Sequence, residues 1–282
     1  MWLGEENKKD GIAVKLFADE VIIKSSSRFF QDIIVARNKM FGKFLVFKEG
    51  ENWTMQVTEK WDFYSEALVH VPMTAHDNPK DVLIIGGGDG STLCQVLKHN
   101  IRRVVLVDID EEVIRIGKEI MVPQCFSDPR VVIYSEDALK FVKEYEGKFD
   151  VIIGDYSDPY PDLPAKTLIK DEFYKGLSKL LRKDGIIALQ AGSPIFQIDI
   201  LKRIYLGLKK HFEKVSVYCS PVSVYPGGIW CYAIASNTVD FRKPKRVFRG
   251  IFYNEKIHEA LFKLPTFIEK HLEEEHHGQQ EG

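Results

Sequence analysis

The stretch Val82-Leu83-Ile84-Ile85-Gly86-Gly87-Gly88-Asp89-Gly90-Ser91-Thr92-Leu93 restricts the fold of this chain more than any other. Four apolar residues in a row read as a buried parallel strand. Glycines follow at once, and Ser91 to His99 reads as a helix. Strand, glycine turn and helix open a nucleotide-binding βαβ unit. The glycines let the turn close tightly and bring backbone N–H groups up to a ligand. Asp89 narrows the choice of ligand. A pyrophosphate site wants N–H donors and no acid, because a carboxylate repels phosphate. An acid inside the turn suits a ligand that carries a cation, and S-adenosyl sulfonium compounds are of that kind. A glycine-rich turn can also do no more than pack a helix on a strand, and alone it is weak evidence. The next strand supports the functional reading. Val104-Val105-Leu106-Val107 runs into Asp108, with Asp110 two residues on. An acid at the end of the second strand is where ribose hydroxyls bind.

The 282 residues suffice for one large α/β domain and a small one. A net charge of -2, with no basic stripe, argues against a nucleic-acid partner. No apolar run approaches the ~20 residues of a membrane span, so no membrane partner is expected. Met1 to Asp10 is polar and acidic and does not read as a signal peptide. The four cysteines, at 94, 125, 219 and 231, lack metal-ligand spacing, and no metal site is expected. Cys94 and Cys219 read as small buried apolar residues, which implies a reducing, cytoplasmic setting. Abundant Lys, Glu and Ile lean thermophilic.

Residues 11 to about 60 hold short β-like runs: Ile12 to Leu16, Glu20 to Lys24, Asp32 to Ala36, Lys43 to Phe47 and Trp53 to Val57. Gly42 and Glu49-Gly50-Glu51-Asn52 are turn signals between them. They predict a small antiparallel β-domain over residues 1–60. Trp61 to His70 reads as a helix that ends before Pro72. Strands are expected at 82–85, 104–107, 131–134, 150–154, 186–190, 214–219 and 229–235. Helices are expected at 91–99, 110–120, 137–145, 171–183 and 197–211. This alternation predicts an α/β fold: a Rossmann-like, doubly wound, mostly parallel sheet, in a domain over 61–272. The last two strands are close enough in sequence to pair antiparallel. Residues 273–282 read as a polar tail, with His276 and His277 solvated.

In a doubly wound sheet, ligands bind beyond the carboxyl ends of the strands. Successive strand ends here deliver Asp89, then Asp108, then Glu136 and Asp137, then Asp155 and Asp158. Any one of these charges can be a solvated loop residue. Four strand ends converging on one rim destabilise each other unless a cation binds. The reading is a pocket for a polycation that carries an adenosine, with Asp108 and Asp137 on the adenosine and Asp89, Asp155 and Asp158 on positive charge. The proline-rich segment Pro159 to Thr167 is either a stiff lid or an ordinary surface connection. Tyr225 and Trp230 flank a turn, where they either wall an amine pocket by cation–π contact or belong to the core.

At this point the residues resemble the polyamine aminopropyltransferases, the spermidine synthase family. The matching motifs are Gly86 to Gly90, Asp155-Tyr156-Ser157-Asp158-Pro159, and Tyr225-Pro226-Gly227-Gly228. Phe30 to Asp32, Gln56 to Glu59, Tyr253-Asn254-x-x-Ile257-His258 and Leu264-Pro265 match as well. The resemblance covers nearly the whole chain. It implies a donor, decarboxylated S-adenosylmethionine, an amine acceptor such as putrescine, and methylthioadenosine as product. It implies nucleoside contacts from Gln31, Gln56, Asp137, Ala138 and Pro164, and ribose contacts from Asp108. Asp89 would hold the aminopropyl ammonium, Asp155 would accept the proton, and Tyr64, Ser65, Asp158, Tyr225 and Trp230 would border the acceptor. A homodimer or homotetramer is implied through the N-terminal β-domain.

The chain departs from the family pattern mainly at the acceptor side. Asp108 stands where many members have Glu. Tyr64-Ser65-Glu66 replaces Tyr-His-Glu, the segment before it is one residue short, and the loop from Asp158 to Leu168 is longer. A missing His either leaves room for acceptors longer than putrescine, such as cadaverine, agmatine or spermidine, or leaves a space that water fills, with putrescine still the acceptor. Because the sulfonium is a good leaving group, no metal or redox cofactor is expected. Two other readings share parts of this pattern. A methyltransferase using S-adenosylmethionine shares fold and ribose acid, but its donor's carboxylate would be repelled by the acids. A non-catalytic adenosyl- or polyamine-binding protein would release no methylthioadenosine.

Overall fold

The computed structural model describes residues 1–8, 10–49, 52–158 and 164–274. Six strands open the chain: β1 (Trp2–Asn7), β2 (Ile12–Phe17), β3 (Glu20–Ser25), β4 (Asp32–Asn38), β5 (Gly42–Glu49) and β6 (Asn52–Thr58). They form an antiparallel sheet in the order β2-β1-β6-β5-β4-β3. Five of these strands follow the expected runs. β1 lies in the segment read only as polar, because Glu5, Glu6 and Asn7 obscure a strand whose pattern is completed by pairing with β2.

Helix α1 (Phe63–Ala75) follows, and every residue in it from Tyr64 onward is buried. The helix does not stop before Pro72. Proline removes one helical hydrogen bond, a cost of roughly 3 kcal/mol. Met73, Thr74 and Ala75 are buried beyond it, and the Thr74 hydroxyl bonds the His70 carbonyl at 2.8 Å. Tertiary burial outweighs the local signal.

The second sheet holds β7 (Asp81–Gly86), β8 (Arg103–Asp108), β9 (Val131–Ser135), β10 (Phe149–Asp155), β11 (Leu181–Gln190), β12 (Lys214–Pro221) and β13 (Ile229–Ser236). Their order is β12-β13-β11-β10-β7-β8-β9. The five strands β9, β8, β7, β10 and β11 run parallel, and β13 pairs antiparallel with β11 and β12. Along β7, Val82 and Ile84 join the core on one face and Leu83 and Ile85 the core on the other. This is the period-two signature of a strand covered on both sides. α1 and α2 (Ser91–Leu97) lie on the first face. α5 (Ala138–Glu144), α6 (Asp171–Leu180) and α7 (Ile198–Lys209) cover the second. The helix expected over 110–120 divides into α3 (Glu111–Ile116), a π-helical turn Gly117–Met121 and the short α4 (Pro123–Phe126). The C-terminal apolar segment forms α8 (Glu255–Leu261) and α9 (Thr266–Glu273).

The cysteines correct the sequence reading. Cys94 of α2 is bonded to Cys125 of α4, and Cys219 to Cys231 on the facing strand, so none is a free thiol. Cys94 is half-buried rather than a core residue. Spacing alone carries no partner information, and these pairs arise from helix packing and strand register. The inference of a reducing compartment from unpaired thiols loses its basis. No helix among the described residues is long and apolar enough to cross a membrane.

Candidate active site

The strand order reverses at β7: β8 and β9 lie on one side of it and β10 on the other. That reversal opens a crevice at the carboxyl ends. Register places Asp155, the last residue of β10, opposite Gly86. The glycine turn and the fourth-strand acid therefore meet, although 65 positions separate Gly90 from Asp155 in the chain. Gly86 has φ +82°, and a Cβ there would lie 2.2 Å from the Asp155 carbonyl oxygen, so only glycine permits this approach. A cavity with about 1470 Å³ of empty space, partly open to solvent, occupies the crevice beneath the N-terminal sheet.

Each predicted acid has a definite fixture. Asp108 accepts hydrogen bonds from the Gly88 and Asp110 N–H groups, both at 2.9 Å. Withdrawal from water pushes its carboxyl up to about 6, against those two bonds. A Cβ on Gly88 would sit 2.9 Å from the Asp108 carboxylate, so the turn's third glycine makes room for this acid. Asp89 turns back to accept from Ser91 N at 2.8 Å, and burial raises its carboxyl as well. Asp155 accepts from the Tyr64 hydroxyl at 2.7 Å through Oδ1, and from the Thr92 hydroxyl at 2.5 Å through Oδ2. Its carboxyl is pushed up to about 7, first by burial and then by the neighbouring Asp89. Asp158 accepts from Gln197 Nε2 at 2.6 Å and Gln190 Nε2 at 3.2 Å, and burial raises it too. Asp137 caps α5 through Lys140 N and, with Ala138, lines the cavity. Glu136 instead faces Lys140 and lies outside the lining.

The aromatic residues are both wall and core. Tyr64, Tyr225 and Trp230 line the cavity while packing edge to face, with Tyr225 and Trp230 centroids 4.7 Å apart. The Tyr225 hydroxyl is spent on the Gln56 carbonyl, which ties the two sheets together. Gln56 and Ser65 also line the cavity. Gln31 does not: its side chain is exposed, and Phe29 and Phe30 fill the wall in its place. The chain's entry into β4 turns Phe30 inward and Gln31 outward. Pro164 opens a 3-10 segment, Pro164–Ile169, from which Ala165, Thr167 and Leu168 reach the cavity. Its own side chain, and Pro159, Tyr160, Pro161, Asp162 and Leu163 of the expected lid, lie outside the described residues.

Three participants went unread in the sequence. Glu5 of β1 reaches the cavity, accepts from Met55 N at 3.0 Å, and is pushed up to about 7 by burial, with Asp158 adding to the shift. Asp62 caps α1 through Ser65 N at 3.0 Å and is raised to about 6 by burial, with Asp89 adding a repulsion. Thr92 holds the fourth-strand acid. An acid three residues after Trp2 and an Asp ahead of a helix are the only local signals. Neither points to a site formed by distant strands, whose cavity Glu5 lines and whose Asp89 is repelled by Asp62.

A Rossmann-like sheet whose switch-point crevice gathers half-buried carboxylates, with no Lys or Arg among the described lining residues, is a site for positively charged small molecules. The chain belongs to the spermine/spermidine synthase family: the sequence model described as "Spermine/spermidine synthase domain" matches residues 61–243. It is a transferase of that family. It is 40% identical to polyamine aminopropyltransferase 1 of Aquifex aeolicus (strain VF5) over 247 residues, 86% of each chain. It is 33% identical to the polyamine aminopropyltransferase of Caldicellulosiruptor saccharolyticus over 283 residues, 97% of this chain and 98% of that one. Among solved structures, a spermidine synthase in complex with the transition-state analogue AdoDATO superposes with a TM-score of 0.86 at 33% identity. That match covers 96% of this chain and 94% of the other. The spermidine synthase from Thermotoga maritima gives a TM-score of 0.85 at the same identity and coverage.

Proposed function

We propose that this protein transfers the aminopropyl group of decarboxylated S-adenosylmethionine to an amine and releases methylthioadenosine. The observation that carries this reading is the gathering of Glu5, Asp89, Asp155 and Asp158 around one cavity that also holds Asp108. Asp108 suits the ribose hydroxyls, Asp137 and Ala138 the adenine, and Asp89 the ammonium of the aminopropyl arm. An alkyl ammonium cannot attack until it loses a proton. Asp155, raised toward neutrality, takes that proton. The freed nitrogen lone pair attacks the carbon bound to sulfur, and the carbon–sulfur pair returns to sulfur. The carboxylates position both cations for this in-line displacement. The leaving thioether is neutral, so the chemistry calls for no metal or redox cofactor.

Acceptors longer than putrescine are part of the proposal. Beyond Asp158 and Glu5 a small surface hollow, open to solvent, continues toward Asn7, Asp10 and Gln197, sharing Trp230 with the first cavity. The far ammonium of a longer amine would lie between Glu5 and Asp158, since each ammonium needs its own carboxylate. We further infer a cytoplasmic homodimer or homotetramer. Both substrates are multiply charged and do not cross a bilayer unaided, and Trp2 and Phe17 pair on an exposed rim of the N-terminal sheet.

The test incubates purified protein with decarboxylated S-adenosylmethionine and putrescine, cadaverine, agmatine or spermidine, with products identified by mass spectrometry. Methylthioadenosine and an aminopropylated amine are expected. Release of neither with any amine would favour a binding protein, and methyl transfer from S-adenosylmethionine would favour the methyltransferase.

A further inference from the structure

The Asp155 carboxylate carries one hydroxyl donor on each oxygen, and the two donors come from different helices. Tyr64 of α1 reaches Oδ1, and Thr92 of α2 reaches Oδ2. Thr92 is fully buried, one residue into α2 and two beyond the glycine turn. On the same side, a Cβ at Gly87 would lie 3.0 Å from Oδ2. Oδ2 is thus enclosed by the turn and by Thr92. The torsion that turns a carboxylate about its Cβ–Cγ bond is broad when nothing holds it. With both oxygens held, it is fixed.

We propose that Thr92 is a positioning residue for the proton transfer, its hydroxyl holding Oδ2 of Asp155 so that the remaining lone pairs face the acceptor nitrogen. The proposal rests on Asp155 being the base of the aminopropyl transfer. In the step concerned, the acceptor ammonium gives one proton to the Asp155 carboxylate, leaving a neutral amine and a carboxylic acid. The amine then forms its carbon–nitrogen bond as the carbon–sulfur bond breaks. The groups acting on Asp155 are Asp89 of the turn and Asp62 ahead of α1, which favour its protonated form. Tyr64 and Thr92 favour the ionised form. Tyr225 of the loop before β13 and Tyr232 of β13 complete its titratable surroundings. Removing the Thr92 donor leaves the repulsion from Asp89 and Asp62 less opposed.

Thr92→Val keeps the shape and removes the hydroxyl, whereas Thr92→Ser keeps the hydroxyl and removes a methyl group. The acid limb of kcat/KM is expected to move up by about one pH unit in Thr92→Val, the effect of one lost hydrogen bond to a charged group. In the same variant kcat at pH 7 is expected to fall about tenfold, with KM for the donor within twofold of wild type. Thr92→Ser should restore the limb. Should Thr92→Val not fold, Thr92→Ala against Thr92→Ser makes the same comparison. Carboxyl-carbon NMR titration of Asp155 in wild type and variant reads the shift without turnover, so a wild-type protein that fails to transfer overturns the reaction and not the Thr92 assignment. Coincident titration curves in wild type and Thr92→Val would overturn the assignment, as would equal losses in Val and Ser with an unmoved limb.

Discussion

Tyr64 donates its hydroxyl hydrogen to Oδ1 of Asp155 over 2.7 Å, joining the start of α1 to the end of β10 across 91 positions of sequence. A hydrogen bond to a charged group is worth about 1.5–3 kcal/mol, so its loss costs roughly 10- to 100-fold. Tyr64→Phe keeps the ring packed against Tyr225, Trp230 and Tyr232. We expect it to fold normally and to lose kcat on that scale. Unchanged kcat in Tyr64→Phe would show that the bond has no part in turnover.

Asp155 gives a pH dependence with a definite sign. Its carboxyl sits at about 7 in the unliganded protein, and only the ionised form accepts a proton. kcat/KM reports the free enzyme, so it should fall as pH drops below about 7. Asp155→Asn should lower kcat by about 10²–10⁴-fold with the fold intact by circular dichroism. An acid limb that persists unshifted in the residual activity of the variant would assign it to another group.

The acids of the site should draw stability from the unliganded protein as pH rises, while the buried His70, His76, His99 and His258, held below their ordinary value, oppose that trend up to about pH 6.5. Glu5, Asp62, Asp89, Asp108, Asp155 and Asp158 all have carboxyls raised above their unfolded values. Between the unfolded values near 4 and the folded values, about 6 for Asp62 and Asp108 and about 7 for Glu5 and Asp155, these acids bind more protons in the folded chain than in the unfolded one. The stability these acids contribute is therefore fullest at the acid end of that window and declines through it, levelling off above about pH 7. A bound polycation removes the repulsion, so the rise in Tm from decarboxylated S-adenosylmethionine should be larger at pH 8 than at pH 5.5. A ligand-induced rise in Tm no larger at pH 8 than at pH 5.5 would contradict the repulsion among these acids.

Glu5 should set the acceptor's affinity and leave the donor's alone. It lies with Asp158 between the cavity and the surface hollow, on the side away from Asp108. Glu5→Gln should raise KM for the amine about tenfold or more, at unchanged donor Kd by calorimetry, with the larger effect on amines that carry a second ammonium. Equal loss for monoamines and diamines would place Glu5 outside the amine's path.

The periodic parts of this protein were legible from sequence. The four-residue apolar run at 82–85 specifies a strand buried on both faces, whatever surrounds it. The alternation of strands and helices after it specifies a doubly wound sheet, and its end rule points to Asp89, Asp108, Asp137, Asp155 and Asp158, which line one cavity, and to Glu136, which does not. These signals are local or repeat along the chain, and each residue reports its own environment. Tertiary structure alone decided the rest. Pro72 is a helix stop by its own chemistry, yet α1 continues because its far side is buried. Gln31 and Phe30 are neighbours with opposite fates, set by how the chain enters β4. Cys94 found Cys125 through the packing of two short helices. Glu5, Asp62 and Thr92 act on the acids at and beyond the end of β10 because β1, the start of α1 and α2 meet there. Each of those positions depends on a contact between segments distant in sequence, and such a contact leaves no mark on the residues flanking it.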